Sequence, residues 1–182
     1  GRSLNDLGQT ALRVGKRVHT DTGVDRHGAS VVSVALDLAE GIAGDLTTRS
    51  ALVVGAGAMS SLAAQTLDAR GVRDITVASR TTATTKRVAE VTGATAIGMD
   101  ALPKALVEAD VVVSATGANG LVITADEVEA AMALRGSRKL VVVDLALPHD
   151  TDPLIADLLN VERIDLAALA DAPGAAASQS DL

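Results

Sequence analysis

The sequence predicts a doubly wound α/β fold, in which helices cover both faces of a mainly parallel sheet. From Ser50 onward, short runs of β-branched residues alternate with longer segments of helical character, which is the pattern of a parallel sheet with crossover helices. Two of the runs, Ser50–Val54 and Val111–Val113, are apolar without alternation, as strands covered on both faces are. The length of 182 residues suits one domain with a short appendage.

Two helices are predicted ahead of the sheet. The first follows from apolar residues that step by three and four positions, namely Leu4, Leu7, Ala11, Val14 and Val18. The second follows from a similar stripe between Val31 and Ile42, for which Ser30 is the expected N-cap and Gly44 an expected end. We therefore expect residues 1–44 to hold a linker helix and the first helix of the domain that follows.

Six strands and four helices are predicted in the main domain, residues 45–171. The strands are expected near Ala51–Val54, Asp74–Ala78, Ala94–Gly98, Asp110–Ser114, Leu140–Asp144 and Val161–Ile164. The helices are expected near Ala58–Arg70, Thr82–Thr92, Ala101–Glu108 and Ala125–Leu134. A capping-box pattern at Thr124 and Glu127 opens the last helix. The Ala-, Gly- and Ser-rich end, residues 172–182, has little to bury and is expected to be disordered.

The composition disfavours several classes of function. The chain has no Phe, Tyr or Trp and a net charge of −7, so it lacks both the stacking platforms and the positive charge that nucleic-acid binders use. It has no cysteine, which removes disulfides, thiolate zinc sites and thiol nucleophiles from these residues. The three histidines have no metal-ligand spacing, and we expect no metal site. We see no membrane span and no signal peptide, so a cytoplasmic protein is expected.

A glycine-rich turn follows the first predicted strand. Strand, turn, helix and second strand fit within one βαβ unit, which predicts a Rossmann-like fold. Gly55 is expected to make the tight turn, and Gly57 to let the backbone approach a pyrophosphate at the helix N-terminus. A turn that binds nothing and a methyltransferase loop stay open as alternatives. The candidate cofactor-binding residues are Gly55, Ala56, Gly57, Ala58, Met59 and Ser60, where Ser60 replaces the usual third glycine.

The end of the second strand distinguishes between the two nicotinamide dinucleotides. A site for NAD usually places Asp or Glu about 20 residues after the glycines, on the ribose 2′-hydroxyl, but this chain has Ser79, Arg80 and Thr81 there. A carboxylate would repel a 2′-phosphate, whereas Arg80 is suited to bind it. Lys86 and the two hydroxyls are expected to assist. We therefore predict NADP(H) as cofactor, with a solvated loop charge as the alternative for Arg80.

Two later segments are expected at the same edge of the sheet. Thr116 and Gly117 follow the fourth strand, where they are expected near the nicotinamide half of the cofactor, the alternative being a simple turn. The segment from Asp144 to Asp150 follows the fifth strand. It is a candidate wall of the nicotinamide pocket, although we favour caps or solvated charges for its two aspartates.

These motifs resemble glutamyl-tRNA reductase, which reduces the glutamyl group of glutamyl-tRNA to glutamate-1-semialdehyde at the entry to tetrapyrrole (porphyrin) biosynthesis. Ser79 departs from the family pattern, which has Asn there. The likeness covers most of the chain and rests on the segments Ala11–Val18, Thr22–Gly23, Gly28–Ser33, Gly55–Ser60, Ser79–Thr81, Ser114–Gly117 and Asp144–Pro153.

The resemblance implies an NADP-dependent oxidoreductase of which this chain holds only the cofactor domain. In that family a separate N-terminal domain supplies the cysteine that forms a thioester with the glutamyl group, NADPH reduces the thioester, and a C-terminal helical domain makes the homodimer. The chain alone is then expected to be inactive, to contain no catalytic residue, and to meet glutamyl-tRNA only through the missing catalytic domain. Two alternatives remain, the cofactor domain of a shikimate-dehydrogenase-like enzyme and a non-catalytic NADP-binding module.

Overall fold

A six-stranded sheet is the centre of the protein, which we describe from a computed structural model over residues 26–173. The strand order is β3-β2-β1-β4-β5-β6, and each neighbouring pair is parallel. This order, which reverses direction between β1 and β4, is that of the Rossmann fold, so the predicted fold class is confirmed. The strands are β1 Ser50–Val54, β2 Asp74–Ser79, β3 Thr95–Gly98, β4 Val111–Ser114, β5 Leu140–Asp144 and β6 Val161–Asp165.

Helices cover both faces of this sheet. One face packs against α1, α2, α3 and α6, and the other packs against α4 and α5. Short 3-10 helices occupy Leu46–Thr48, Met99–Ala101 and Pro153–Asp157. The helices are α1 (residues 26–43 of the described part), α2 Ala58–Ala69, α3 Thr82–Thr92, α4 Leu102–Glu108, α5 Ala125–Arg135 and α6 Leu166–Ala170.

The central strands are buried on both faces, which explains their unbroken apolar runs. In β1, Val53 points into the core under α1 and α2, while Leu52 and Val54 point into the core under α4 and α5. The successive side chains of a strand point to opposite faces, so both faces need apolar residues. Because the chain has no aromatic residue, close packing of aliphatic side chains forms both cores.

The six strands and four helices predicted within residues 45–171 agree with the structure to within one residue at each end. The capping box is confirmed, since Thr124 N donates to Glu127 Oε2 over 2.9 Å and Glu127 N donates to Thr124 Oγ1 over 3.3 Å. The predicted cap at Ser30 is wrong, because the helix already includes residue 26. His27 and Ser30 lie on its exposed side, so their polarity reflects a solvent-facing surface rather than a loop.

Two predictions concern the chain termini. Residues 4–18, predicted to form the linker helix, and most of residues 172–182, predicted to be disordered, lie outside the described residues, so the division into 1–44, 45–171 and 172–182 stays a prediction. Within the part that is described, no helix combines the length and the apolar character needed to cross a membrane.

Removing a large core side chain should destabilise the fold far more than removing an exposed one. Leu67 on α2 is fully buried, so Leu67→Ala should lower the free energy of unfolding by about 2–5 kcal/mol. Leu159 is 83% exposed, so Leu159→Ala is the matched control. It should change the free energy of unfolding by less than about 0.5 kcal/mol. Urea denaturation followed by circular dichroism measures both, and similar losses in the two variants would contradict this packing.

Candidate dinucleotide-binding site

A pocket of about 270 Å³ lies at the carboxyl ends of the strands. It opens where the strand order reverses between β1 and β4, the position at which open parallel sheets bind ligands. We call it the switch-point pocket. It brings together the glycine turn, the segment after β2 and the segment after β4, which are far apart in sequence. Its lining residues are Gly55, Ala56, Gly57, Ser79, Arg80, Thr81, Met99, Thr116, Gly117, Ala118 and Val122.

Gly55 occupies a position that no other residue can fill without displacement of its neighbours. Its φ of +112° is strained for residues with a side chain, and an added Cβ would lie 2.5 Å from Ser60 Oγ and 2.7 Å from the carbonyl oxygen of Ala115. Those two atoms are hydrogen-bonded, since Ser60 Oγ donates to Ala115 O over 2.7 Å. Ser60 is fully buried and outside the pocket lining, so its side chain connects α2 to the segment after β4.

Gly57 is open to the pocket for a different reason. It has an ordinary extended backbone with φ −79°, and an added Cβ would meet no atom within 4 Å. Gly57 is also the N-cap of α2, where no side chain caps the helix. Ala58 is exposed beside it, while Met59 is half-buried. The first N–H groups of the 12-residue helix α2 are therefore available to an anion in front of Gly57.

The turn at the end of β2 holds the hydrogen-bonded hydroxyl of Ser79 and the exposed cation of Arg80. Ser79 Oγ accepts hydrogen bonds from Thr81 N at 3.0 Å and from Thr85 Oγ1 at 2.9 Å, so it shapes the turn. Arg80 is exposed at the pocket and makes no ion pair within residues 26–173. Lys86 lies one turn into α3, exposed and outside the pocket lining.

The segment after β4, residues 115–118, is hydrogen-bonded to a buried carboxylate that lies outside the pocket lining. Asp150 Oδ2 accepts from Ser114 Oγ at 2.9 Å and from Thr116 N at 2.7 Å, and Asp150 Oδ1 accepts from Thr116 Oγ1 at 2.5 Å. Thr116 lines the pocket, but its N–H and O–H both point to Asp150. An added Cβ on Gly117 would meet no atom within 4 Å, so this backbone, like that of Gly57, borders open space.

The preferred interpretation of Asp144 and Asp150 as caps or solvated charges is wrong. Both are 0% exposed, and neither lines the pocket. Asp144 accepts from Ala146 N, Thr151 N and Thr151 Oγ1 at 2.7–3.0 Å. Burial of each carboxylate is possible because several donors surround it. The donors to Asp150 come from Ser114 and Thr116, which are 36 and 34 positions away, so the local sequence gives no sign of them.

Asp144 also contacts a charged side chain of β6. Arg163 Nη2 lies 3.6 Å from Asp144 Oδ2, and Arg163 Nη1 lies 3.1 Å from Asp165 Oδ2. The backbone N–H of Ala168, followed by the Arg163 guanidinium, lowers the pKa of Asp165. His149 Nδ1 lies 3.9 Å from Asp144 Oδ2. These contacts join the carboxyl ends of β5 and β6, beyond the pocket itself.

Three residues of the pocket were not anticipated from sequence. Met99 follows β3 directly, so its position at the end of a predicted strand was an available signal. Ala118 and Val122 belong to an irregular segment that carries no recognisable motif. In the part of the chain that the structure covers, no group of three or more His, Asp or Glu side chains could hold a metal ion.

The strand order and the pocket at its reversal define a Rossmann-type domain of the dehydrogenase class. A family model described as shikimate/quinate 5-dehydrogenase matches residues 37–172. This match extends from within α1 to beyond α6 and includes every residue that lines the switch-point pocket. The chain therefore belongs to the shikimate/quinate 5-dehydrogenase family.

Among individual proteins, the chain is similar to glutamyl-tRNA reductases. The one from Nocardioides sp. strain JS614 is 48% identical over 94% of this chain and 39% of its own length. The one from Kineococcus radiotolerans is 47% identical over 98% of this chain and 40% of its own. The solved glutamyl-tRNA reductase from Methanopyrus kandleri is 34% identical with a TM-score of 0.73, covering 93% of this chain and 43% of that one. The predicted resemblance is confirmed, and the chain spans about two fifths of these relatives.

The two glycines of the turn should respond differently to the same substitution. Gly55→Ala should lower the free energy of unfolding by at least about 1–3 kcal/mol, because it combines a strained φ with a clash. Gly57→Ala, the matched control, should change it by less than about 1 kcal/mol, since its Cβ enters open space. Thermal or urea unfolding of both variants tests this, and equal stability of the two would be inconsistent with the described turn.

Proposed function

We propose that the switch-point pocket binds NADP(H) and that the chain is the cofactor domain of a glutamyl-tRNA reductase. The observation that carries this proposal is the open space in front of Gly57, which faces the uncapped N-terminus of α2. The helix dipole and the unpaired N–H groups favour an anion there, and a pyrophosphate between two nucleosides fits that position. The protein's own packing does not require glycine at residue 57, whereas close approach of the protein backbone to a pyrophosphate does.

The preference for NADP(H) over NAD(H) rests on the turn after β2. Ser79, at the end of β2, has no negative charge that would repel a 2′-phosphate, and its hydroxyl is engaged with Thr81 and Thr85. Arg80 is exposed at the pocket and has no competing carboxylate in residues 26–173. Its guanidinium can form charge-assisted hydrogen bonds with the phosphate oxygens. Lys86, outside the lining, is assigned a secondary role.

In the proposed reaction these residues bind and orient the cofactor. Bound NADPH supplies the hydride that reduces a glutamyl thioester to glutamate-1-semialdehyde. The glycine turn holds the pyrophosphate, Arg80 holds the 2′-phosphate, and residues 116–118 border the nicotinamide. The thioester requires a cysteine, and the chain has none. We therefore propose that another domain supplies the thiol and binds glutamyl-tRNA, and that this chain alone does not reduce glutamyl-tRNA. From the resemblance to glutamyl-tRNA reductases, we also propose that the whole enzyme is a homodimer through a C-terminal domain.

A second candidate is the cofactor domain of a shikimate-type dehydrogenase. The glycine turn and the Arg80-Thr81 pair suit both enzymes. The family match to residues 37–172 favours this candidate at the level of the domain. The relatives at 47–48% identity favour the reductase. A reductase domain should enable reduction of glutamyl-tRNA when it is joined to a cysteine-bearing domain, and it should not oxidise shikimate.

Replacing Arg80 should change cofactor preference, whereas replacing Gly57 should not. A hydrogen bond to a charged group is worth about 1.5–3 kcal/mol, and about 1.4 kcal/mol is a tenfold change in affinity. Arg80→Ala should therefore weaken NADPH binding by about tenfold to a hundredfold and leave NADH binding nearly unchanged. Gly57→Val should weaken both cofactors together, because it blocks the pyrophosphate they share. Calorimetric titration of each variant with each cofactor measures these effects.

Lys86→Ala is the matched control for this experiment, since it removes a neighbouring cation outside the pocket lining. Because Lys86 has only a secondary role, its NADPH-to-NADH affinity ratio should fall much less than that of Arg80→Ala. An unaltered ratio in Arg80→Ala together with a reduced ratio in Lys86→Ala would transfer the 2′-phosphate to Lys86. Absence of binding of either cofactor to the wild-type chain would refute the proposed function as a whole.

A further inference from the structure

We infer that Asp150 is a positioning residue for the nicotinamide half of the cofactor, acting through the segment after β4. This inference rests on the proposed function, because it assumes that a dinucleotide occupies the switch-point pocket. Asp150 does not line the pocket. Its effect comes from the hydrogen bonds by which it fixes residues that do line it.

The carboxylate of Asp150 binds the part of the chain where β4 ends. All three of its hydrogen bonds come from Ser114 and Thr116, at 2.5–2.9 Å. Ser114 is the last residue of β4, and Thr116 is in the pocket lining. Asp150, which is 0% exposed, therefore fixes the direction in which the chain leaves β4 together with the bond from Ser60 Oγ to Ala115 O.

The backbone of Asp150 fixes a second part of the pocket. Its carbonyl oxygen accepts from Val122 N at 2.6 Å and from Ile123 N at 3.0 Å. Ile123 and Thr151 also form an isolated parallel bridge. Val122 lines the pocket, and Ile123 is fully buried. One residue thus holds both ends of the segment that runs from β4 to the start of α5, where the pocket is bordered on its β4 side.

These bonds determine what the segment after β4 presents to a ligand. Both donors of Thr116 point to Asp150, and Thr116 Oγ1 accepts from Ala118 N at 3.3 Å. The backbone N–H and the hydroxyl of Thr116 are therefore satisfied within the protein. What faces the pocket is the backbone around Gly117, with open space at its Cα. Without Asp150, the donors of Thr116 would lose their partners, and this backbone would be free to rearrange.

Asp150 should act on only one half of the cofactor. Arg80 and Thr81 follow β2, on the opposite side of β1 from the segment after β4. A dinucleotide laid across the strand-order reversal has its adenosine half on the β2 side and its nicotinamide half on the β4 side. Loss of the Asp150 contacts should therefore weaken binding of the nicotinamide half and leave the 2′-phosphate half intact.

Asp144 provides a matched control for Asp150. The two aspartates are both 0% exposed, and each carboxylate accepts bonds from backbone N–H and hydroxyl groups. The donors to Asp144 are Ala146 N, Thr151 N and Thr151 Oγ1, and none of them lies between β4 and α5. Replacing Asp144 should destabilise the fold through the carboxyl ends of β5 and β6, while the carboxylate of Asp150 still accepts from Ser114 and Thr116.

The experiment compares a whole cofactor with a fragment of it. The wild-type chain, Asp150→Ala and Asp144→Ala are titrated calorimetrically, well below their unfolding temperatures, with NADPH and with 2′,5′-ADP, which has no nicotinamide. In Asp150→Ala the affinity for 2′,5′-ADP should stay within about twofold of wild type, while that for NADPH falls by about tenfold, the scale of one lost hydrogen-bonding interaction at a charged group. In Asp144→Ala the ratio of the two affinities should match the wild type.

Each outcome supports or overturns the inference. If Asp150→Ala leaves the ratio of the NADPH affinity to the 2′,5′-ADP affinity unchanged, whether or not both ligands bind more weakly, Asp150 serves only the stability of the fold. If Asp150→Ala does not fold, Asp150→Asn takes its place, because it retains the side-chain volume and one acceptor. It should weaken NADPH binding relative to 2′,5′-ADP binding, by a smaller factor than is expected of Asp150→Ala. If the wild-type chain binds 2′,5′-ADP and NADPH, the proposed function stands whatever the variants do. If it binds neither, both the proposed function and the inference fail.

Discussion

The close approach of β1 and β4 at Gly55 is the constraint on which the rest of the site depends. Ser60 Oγ donates to Ala115 O directly beside the Cα of Gly55, and an added Cβ would lie within 2.7 Å of both oxygens. Only glycine allows the start of α2 and the exit of β4 to be joined at that distance. The strand order reverses at this pair of strands, and Gly55 itself lines the pocket that opens there. Stability and binding are therefore linked at one residue.

The two sides of the pocket are built on different principles. On the β2 side, Arg80 is an exposed cation that no described carboxylate pairs with, so it is available to an anionic ligand. On the β4 side, Thr116 is held by the buried Asp150, which already accepts from its backbone N–H and its hydroxyl. The first arrangement suits recognition of a phosphate by charge. The second suits a ligand that needs a fixed surface rather than an ionic partner.

Sequence patterns predicted the sheet and most of the pocket, because these depend on local signals. Apolar runs such as Ser50–Val54 mark buried strands, and the glycines at positions 55 and 57 mark the turn. The hydrogen bonds of Asp150 could not be predicted, since Ser114 lies 36 positions away in sequence. Its residue type alone suggested a solvated charge. The donors that make its burial possible are brought together only by the fold.

The central claim is that a dinucleotide binds across the reversal of strand order, with its pyrophosphate at the N-terminus of α2. Nuclear magnetic resonance of the ¹⁵N-labelled chain during titration with NADPH tests it most directly, since each backbone amide reports separately. The account predicts that the largest shifts fall on Gly57, Ala58 and Met59, with further shifts at Arg80 and Gly117. Shifts confined to a separate cavity, which is lined by Thr76 and Lys104, or no shifts at saturating NADPH, would contradict it.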